Sequence, residues 1–504
     1  MPPAFRHGIA SGDPTTGSVM LWTRISGVSD AVDVTWWIRD PAGVLIGEGT
    51  AAATRAVDWT VHVDATGLRP GSRYTYGFAL GETASPVGRT RTLTAAPDRL
   101  RFGQVSCAKF NAGYFNAYAR LAERDDIDFI LHLGDYIYEA SNTPPKSQTP
   151  GADIGRPFDP LHECRTLDDY RRRYAQYHAD PDVQAVLAAH PFIAASDDHE
   201  LADGAWRDGA QEHKPERDGP WSERRAAAFR AREEWLPVRR PDPADPERTY
   251  RLVRFGDLAD LFLLDTRSRR DEPVPAPAMH DPSRSALGPE QRAWLFDGLA
   301  ASRARWRILG NPSVLARTWN DALPEDVRHA LMKLKMIDPD LTGPDWDQWD
   351  GYPAERSALL AHLRDRTAAD IVLSGDVHVG MANVLHDRET MDGWPVAVEF
   401  VNTSLTSQNL DDQLGWAPLT QSLPLVEAFL RGMPHVRWLD MDSHGYSLLT
   451  VTREQVTCEW WAVDGILERT SGEARVAEWT VRHGEVNLIP TEDGEPITEP
   501  LLQA

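Results

Sequence analysis

Four short apolar runs in this chain stop in the same way: the run ends, and metal-capable polar residues follow at once. The first ends in Val105-Ser106-Cys107. The second runs Leu131-His132-Leu133-Gly134-Asp135-Tyr136-Ile137-Tyr138-Glu139. The third is Ala194-Ala195-Ser196-Asp197-Asp198-His199-Glu200, and the fourth is Leu373-Ser374-Gly375-Asp376-Val377-His378. Short apolar runs bounded this way read as buried strands. In an open α/β sheet, ligands collect beyond the carboxyl ends of the strands, so side chains at these ends can converge on one site. Taken singly, Asp135 is a turn residue and Cys107 a small core residue. Asp197 to Glu200 is harder to explain blandly, because consecutive ionisable groups after a buried strand must be solvated, paired or metal-bound. Asp376 and His378 stand at i and i+2, on one side of an extended segment. Recurrence of the pattern is what points to a single site.

The rest of the chain supplies a frame for these ends. Residues 1–97 read as all-β: Val32, Val34, Trp36 and Ile38 alternate with Asp33, Thr35 and Trp37, and Val61, Val63 and Ala65 repeat the period. Pro70-Gly71 followed by Tyr74-Thr75-Tyr76 resembles the tyrosine corner of fibronectin- and immunoglobulin-like sandwiches. From residue 98 the texture becomes α/β. Strands are expected at Leu100–Val105, Ile127–Leu133, Phe192–Ala195, Leu258–Leu264 and Ile371–Leu373. Helices are expected at Tyr114–Arg124, Thr166–His178 and Pro289–Ser302, and paired strands at Tyr446–Thr452 and Val456–Val463. Residues 98–465 form one α/β domain in this reading, and 466–504 are strand fragments and a tail. Proline-rich stretches at Thr143–Pro160, Pro237–Glu247 and Pro273–Pro282 have the length of lids or rims. Arg171, Arg172 and Arg173 can lend positive charge to an anionic substrate, although a solvated helix face is the simpler reading.

Composition narrows the partners. The chain has 504 residues, with 53 Lys+Arg against 76 Asp+Glu, a net charge of −23. That balance disfavours nucleic acid and anionic membranes, which recruit basic faces. No apolar run has the length of a transmembrane helix. Cys107, Cys164 and Cys458 form no CxxC and no disulfide framework. No leader is legible in MPPAFRHGIASGDP, so the expectation is a cytoplasmic protein or a trimmed mature form. No G-x-S-x-G elbow, Walker loop or G-x-G-x-x-G is present. Oligomeric state is not legible.

The order G-D-x-x-Y-E, D-D-H-E, S-G-D-x-H resembles the calcineurin-like metallophosphoesterases, and in detail the PhoD-like alkaline phosphatases (the alkaline phosphatase/phospholipase D family). Gly8 to Pro14, Leu21-Trp22-Thr23-Arg24, Leu264-Asp265-Thr266-Arg267, Trp349 to Arg356 and Glu399 to Ser404 extend the likeness over roughly residues 6–462. The resemblance implies a fibronectin/Ig-like β-sandwich followed by a four-layer α/β/β/α metallophosphoesterase domain. It implies iron(III) beside calcium, with zinc or manganese as other candidates, and a small phosphate-ester substrate. By motif, Cys107, Asp135, Tyr138, Asp376 and His378 match iron-side ligands, with Asp135 bridging. Thiolate, phenolate and imidazole suit iron, and Asp197 and Asp198 offer the oxygen donors calcium wants. His199 matches the histidine that assists the leaving group, and Arg267 is the candidate for substrate binding. Many relatives carry an Asn pair where Leu201-Ala202-Asp203-Gly204 stands here, so Asp203 is a candidate ligand replacing an amide. Ser196 stands where an aromatic residue is common, and Gly310-Asn311-Pro312 lacks a glutamine often found there. Members of the family are typically exported. The activity implied is metal-dependent phosphate-ester hydrolysis, an alkaline phosphomonoesterase, with phosphodiesterase or phospholipase D-type cleavage as the alternative. A non-catalytic binding protein with a degenerate site is the remaining reading.

Overall fold

The computed structural model describes residues 3–143, 153–211, 213–318, 325, 328–329, 347–364, 370–388 and 393–491. Residues 492–504 of the expected tail and part of the Thr143–Pro160 stretch lie outside the described residues.

Strands Arg99–Val105, Phe129–His132 and Pro191–Ala194 are parallel neighbours in a ten-stranded sheet. Strands Ala259–Leu263, Trp306–Gly310, Asp370–Ser374 and Pro395–Val401 are parallel neighbours in a seven-stranded sheet. Most are buried on both faces, which is why they read as continuous apolar runs rather than alternations. Phe102, Phe129, Leu131 and Ile193 of the first sheet meet Leu261, Leu263, Ile308, Ile371 and Phe400 of the second in one core. The alternate residues face outward. Ile130 and Phe192 pack under helices Asn116–Glu123, Leu167–His178, Pro181–Ala189 and Trp221–Trp235. Phe262, Leu309 and Val372 pack under helices Gly288–Ala301, Pro353–Arg364 and Ser422–Gly432. The layers therefore run helix, sheet, sheet, helix. No helix of the described residues is long and apolar enough to cross a membrane.

The N-terminal segment forms a five-stranded sheet that includes Val32–Arg39, Leu45–Ala53 and Arg73–Leu80. Val34, Ile38, Tyr76 and Phe78 pack it against Val19, Leu21 and Val61. The Tyr74 hydroxyl accepts the Arg69 backbone N–H at 2.8 Å, the bond a tyrosine corner makes. This segment does not stand apart from the helix–sheet–sheet–helix layers. Strand Ile9–Gly12 pairs in parallel with Pro191–Ala194, and through it Ser18–Arg24 and Thr60–Thr66 continue the ten-stranded sheet. Arg251 Nη2 and the Arg239 backbone N–H both reach the Asp13 carboxylate, at 2.6 Å each, fixing the junction.

Candidate active site

Because the central strands of each sheet are parallel, their carboxyl ends lie at one rim. His132 stands in register with Val105 on one side and Ala194 on the other, so the turns beyond them begin level. Two glycines let the turns close. A Cβ on Gly134 (φ +116°) would lie 2.5 Å from the Asp197 backbone nitrogen. One on Gly375 would lie 2.7 Å from Ser106 Oγ, where the two sheets meet. The residues these turns present are held in the left-handed region: Cys107 (φ 60°), Asp135 (φ 55°), Asp376 (φ 69°) and His378 (φ 57°). Such a conformation costs of order 1–3 kcal/mol per non-glycine residue and clusters at functional sites.

The side chains converge on Asp135. Three overlapping donor groups, each with ligand atoms within 4.8 Å of one another, are Cys107–Asp135–His378, Asp135–Asp198–His199 and Asp135–Asp197–Asp198–Asp376. Tyr138 joins the first: its hydroxyl donates to Asp135 Oδ2 at 2.8 Å and lies 3.4 Å from His378 Nε2. His378 Nδ1 donates to the Gln408 carbonyl at 3.1 Å, which directs its Nε2 lone pair into the cluster. Across the site, His199 Nδ1 donates to Glu139 Oε2 at 2.7 Å, and its ring lies 3.9 Å from that of Tyr138, centroid to centroid.

Electrostatics show what the cluster lacks. Burial pushes the Asp135 carboxyl well above the ordinary range; His199 opposes this, and Asp198, Glu200 and Asp376 add to it. Burial also pushes Asp197 well above that range and raises Asp376, with Arg267 opposing in each case. The Cys107 thiol is raised by burial and by Asp135. Burial lowers His378 to about 3, so its ring is neutral and able to ligate. Against burial, Glu139, Asp135 and Asp198 raise His199 well above its usual value. Asp198 Oδ1 is buried without a hydrogen-bond partner among the described residues. Crowded, buried carboxylates with an orphaned oxygen call for cations. Thiolate, phenolate, imidazole and carboxylate donors suit iron, and the carboxylate-rich side suits calcium. The donor set fits bound metal ions.

Cys107, Asp135, Tyr138, Asp197, Asp198, His199, Asp376 and His378 thus stand together. Asp203 is in none of the donor groups; its backbone N–H donates to Glu139 Oε1 at 2.8 Å. Arg267 is buried with its guanidinium spread over carboxylates: Nε on Asp197, Nη2 on Asp376, and Nη1 on Asp347 at 2.5 Å. The arginine run is occupied elsewhere. Arg171 pairs with Glu234 and Arg172 with Asp159, while Arg173 is buried and donates to the carbonyls of Tyr138, Ala140 and Pro160.

Other residues acquire roles only in the structure. Glu139 anchors His199 and, against burial, is held at about 2 by that histidine. Glu200 accepts the backbone N–H groups of Asp135, Tyr136 and Asp197, clamping two strand ends together. Both close their motifs, and the position of a carboxylate at the end of each was the available signal. Ser407 donates to the Tyr138 hydroxyl at 2.6 Å, and Gln348 donates to Asp376. Lys109, two residues beyond Cys107, donates to Gln408 Oε1 at 3.0 Å with its Nζ 5.9 Å from the Tyr138 ring centre. Burial lowers it to about 8, against the pull of Asp203 and Glu139.

Known proteins share this arrangement of chain. The sequence model of the PhoD-like phosphatase family matches residues 102–460, and that of the PhoD-like phosphatase N-terminal domain matches residues 1–94. Alkaline phosphatase D of Bacillus subtilis (strain 168) is 32% identical over 494 residues, covering 92% of this chain and 78% of the relative. A solved structure described as the structure of PhoD superposes with a TM-score of 0.84 at 30% identity, covering 97% of this chain and 92% of that one. With the metal-donor cluster at the joined strand ends and these matches across both halves of the chain, the protein belongs to the PhoD-like phosphatase family, whose members are metal-dependent phosphoester hydrolases.

Proposed function

We propose that this protein is an alkaline phosphomonoesterase that holds iron(III) through Cys107, Asp135, Tyr138, Asp376 and His378 and calcium through Asp135, Asp197 and Asp198. The observation that carries the reading is Asp135, a carboxylate shared by all three donor groups. Bound there, such cations would acidify a water and neutralise phosphoryl oxygens. The chain supplies the rest. Glu139 fixes the His199 ring by its Nδ1, and Asp135 accepts the His199 backbone N–H at 3.3 Å, so Nε2 is the end that delivers a proton to the departing alkoxide. Its neighbouring carboxylates keep that proton in place. Ser407 and Asp135 fix the Tyr138 phenol, and Gln408 fixes the His378 tautomer. Arg267 spans Asp197 and Asp376, and its charge balances theirs until substrate phosphate competes for it. No nucleophilic serine is needed.

Turnover of a nitrophenyl monoester and a bis-nitrophenyl diester, before and after chelation, tests the activity. The expected result is a preference for the monoester and loss of turnover on chelation or in Asp135→Asn. His199→Ala should lower kcat by about 10²–10⁴-fold, the usual contribution of a proton-transfer residue. A diester preference by orders of magnitude overturns the monoester assignment; no turnover of any ester by metal-replete protein overturns the enzyme assignment. Elemental analysis tests the metals. Iron bound to Tyr138 should colour the protein, and Tyr138→Phe should bleach it; a colourless, active, iron-free protein overturns the iron assignment.

A further inference from the structure

Directly after Gln408, whose carbonyl orients His378, the chain enters the short helix Leu410–Leu414 and meets the turn that follows strand Val436–Asp440. Three bonds join the two segments. The Leu410 backbone N–H donates to the Met441 carbonyl at 3.3 Å, Asn409 Nδ2 donates to the Ser443 carbonyl at 2.9 Å, and His444 Nε2 bonds Asp412 Oδ2 at 2.9 Å. Among these complementary contacts stand two acids, Asp411 and Asp442, only 4% and 6% exposed. Asp442 Oδ2 accepts the Leu419 backbone N–H at 2.7 Å and the Ser422 hydroxyl. Asp442 Oδ1 and Asp411 Oδ1 are both buried without a hydrogen-bond partner among the described residues. Burial raises the Asp411 carboxyl to about 7, and the Asp442 carboxylate is the next cause. Among the described residues, His444 pairs with Asp412, and no arginine or lysine pairs with Asp411, Asp412, Asp440 or Asp442. Two buried carboxylates with free oxygens keep both charges only where a cation neutralises them.

We propose that Asp411 and Asp442 hold a structural calcium ion, separate from the metal-donor cluster, that fastens helix Leu410–Leu414 to the turn after strand Val436–Asp440. Both free donors are carboxylate oxygens, and calcium takes oxygen donors in a flexible shell that includes backbone carbonyls and water. Side-chain groups of three or more metal donors occur among the described residues only at the strand ends, so carbonyls and water complete the shell here. Ligating carboxyls must be ionised, so the ion displaces the proton that burial and the neighbouring acid otherwise keep on Asp411. By holding this helix, the ion fixes the chain directly after Gln408, and with it the carbonyl that orients His378.

The test counts calcium and iron per chain by elemental analysis in the metal-loaded full chain, for wild type, Asp411→Asn and Asp442→Asn. The expected result is one calcium fewer per chain in each variant, with iron unchanged. Adding calcium should also raise the thermal midpoint less in the variants than in wild type, because an ion that binds the folded chain stabilises it. An unchanged calcium count overturns the proposal and leaves the two acids sharing a proton. A second probe needs neither acid changed. The Trp416 backbone N–H donates to the Asp411 carbonyl at 2.9 Å, which sets that indole close enough to sensitise terbium bound in place of calcium. Terbium emission excited through tryptophan should fall in Trp416→Phe, whose calcium count stays that of wild type, and should be displaced by calcium. If the Asn variants do not fold, this comparison decides, and unaltered emission in Trp416→Phe overturns the proposal. Asp135→Asn should retain this calcium, so the site between Asp411 and Asp442 and the metals of the candidate active site stand or fall separately.

Discussion

At the scale of single residues, the site depends on two carboxylates that need no metal to do their work. Glu200 bonds three backbone N–H groups on two different turns, and Glu139 holds both His199 and the Asp203 backbone. Removing a partner from a buried network leaves other members unsatisfied, at about 1–3 kcal/mol each. Glu139→Gln retains the shape and removes the charge that balances a protonated His199. It should lower monoester kcat by at least about tenfold, since a general acid contributes 10²–10⁴-fold, while leaving bound metal unchanged by elemental analysis. Equal loss of metal and turnover would make Glu139 a metal-site residue instead. Gly134 admits no comparable replacement. Its φ of +116° and the 2.5 Å approach of Asp197 mean that Gly134→Ala must push the Asp135 and Asp197 turns apart. Soluble, metal-replete Gly134→Ala with wild-type turnover would contradict that geometry.

At the scale of elements, helix Leu167–His178 shows how far local sequence carries. Thr166 and Asp169 form a capping box, with the Thr166 side chain accepting the Asp169 N–H at 3.3 Å, and the helix begins where that signal places it. Thr166→Ala should cost about 1 kcal/mol of stability, read as a lower urea midpoint at unchanged slope. The function of the helix was not legible. Arg173 reads as one of three solvated arginines, yet it is buried and holds the carbonyls of Tyr138 and Ala140, keeping the Tyr138 segment in place. Nothing in a helical period says which charged residue turns inward, because the partners are carbonyls of distant loops. The four strand ends were legible for the opposite reason, since their donors lie within a few residues of an apolar run. Strands Gly380–His386 and Val436–Asp440 escaped, because the first follows the His378 turn directly and the second is interrupted by the exposed Arg437. Asp203 marks the limit of motif reading. The resemblance offers it as a ligand because it stands where relatives carry an Asn pair; it lies in none of the donor groups, and its backbone N–H bonds Glu139.

At the scale of the whole molecule, the sheet that carries the site runs from the last described strands to the first. Strands Glu473–Arg482 and Ile489–Pro490 lie at one end and Thr60–Thr66 at the other, with the parallel strands Phe129–His132 and Pro191–Ala194 inside. A sheet continuous over both halves makes unfolding of either half costly to the other, so protonation events far from the metals should register in global stability. Several buried histidines provide such events. Burial is the largest cause holding His7 at about 3 and His190 and His435 at about 4, below the ordinary 6.5. Each remains neutral in the folded protein and takes up a proton on unfolding once the pH is below 6.5. A depressed value of this kind contributes stability that is fully present above 6.5 and is lost as the pH falls towards about 4. Raised carboxyls such as Asp135 and Glu399 act with the opposite sign, so the total slope mixes the two. A difference between variants separates them. His190 Nε2 bonds the Leu121 carbonyl at 2.9 Å and His435 Nε2 bonds the Arg317 carbonyl at 2.8 Å, contacts that a glutamine amide can replace. The double variant His190→Gln/His435→Gln should therefore show a flatter loss of thermal midpoint between pH 6.5 and 4 than wild type, with the two curves parallel above pH 7. If the curves stay parallel throughout, these histidines are already charged in the folded protein, and the burial that surrounds them is more permeable to water than their packing implies.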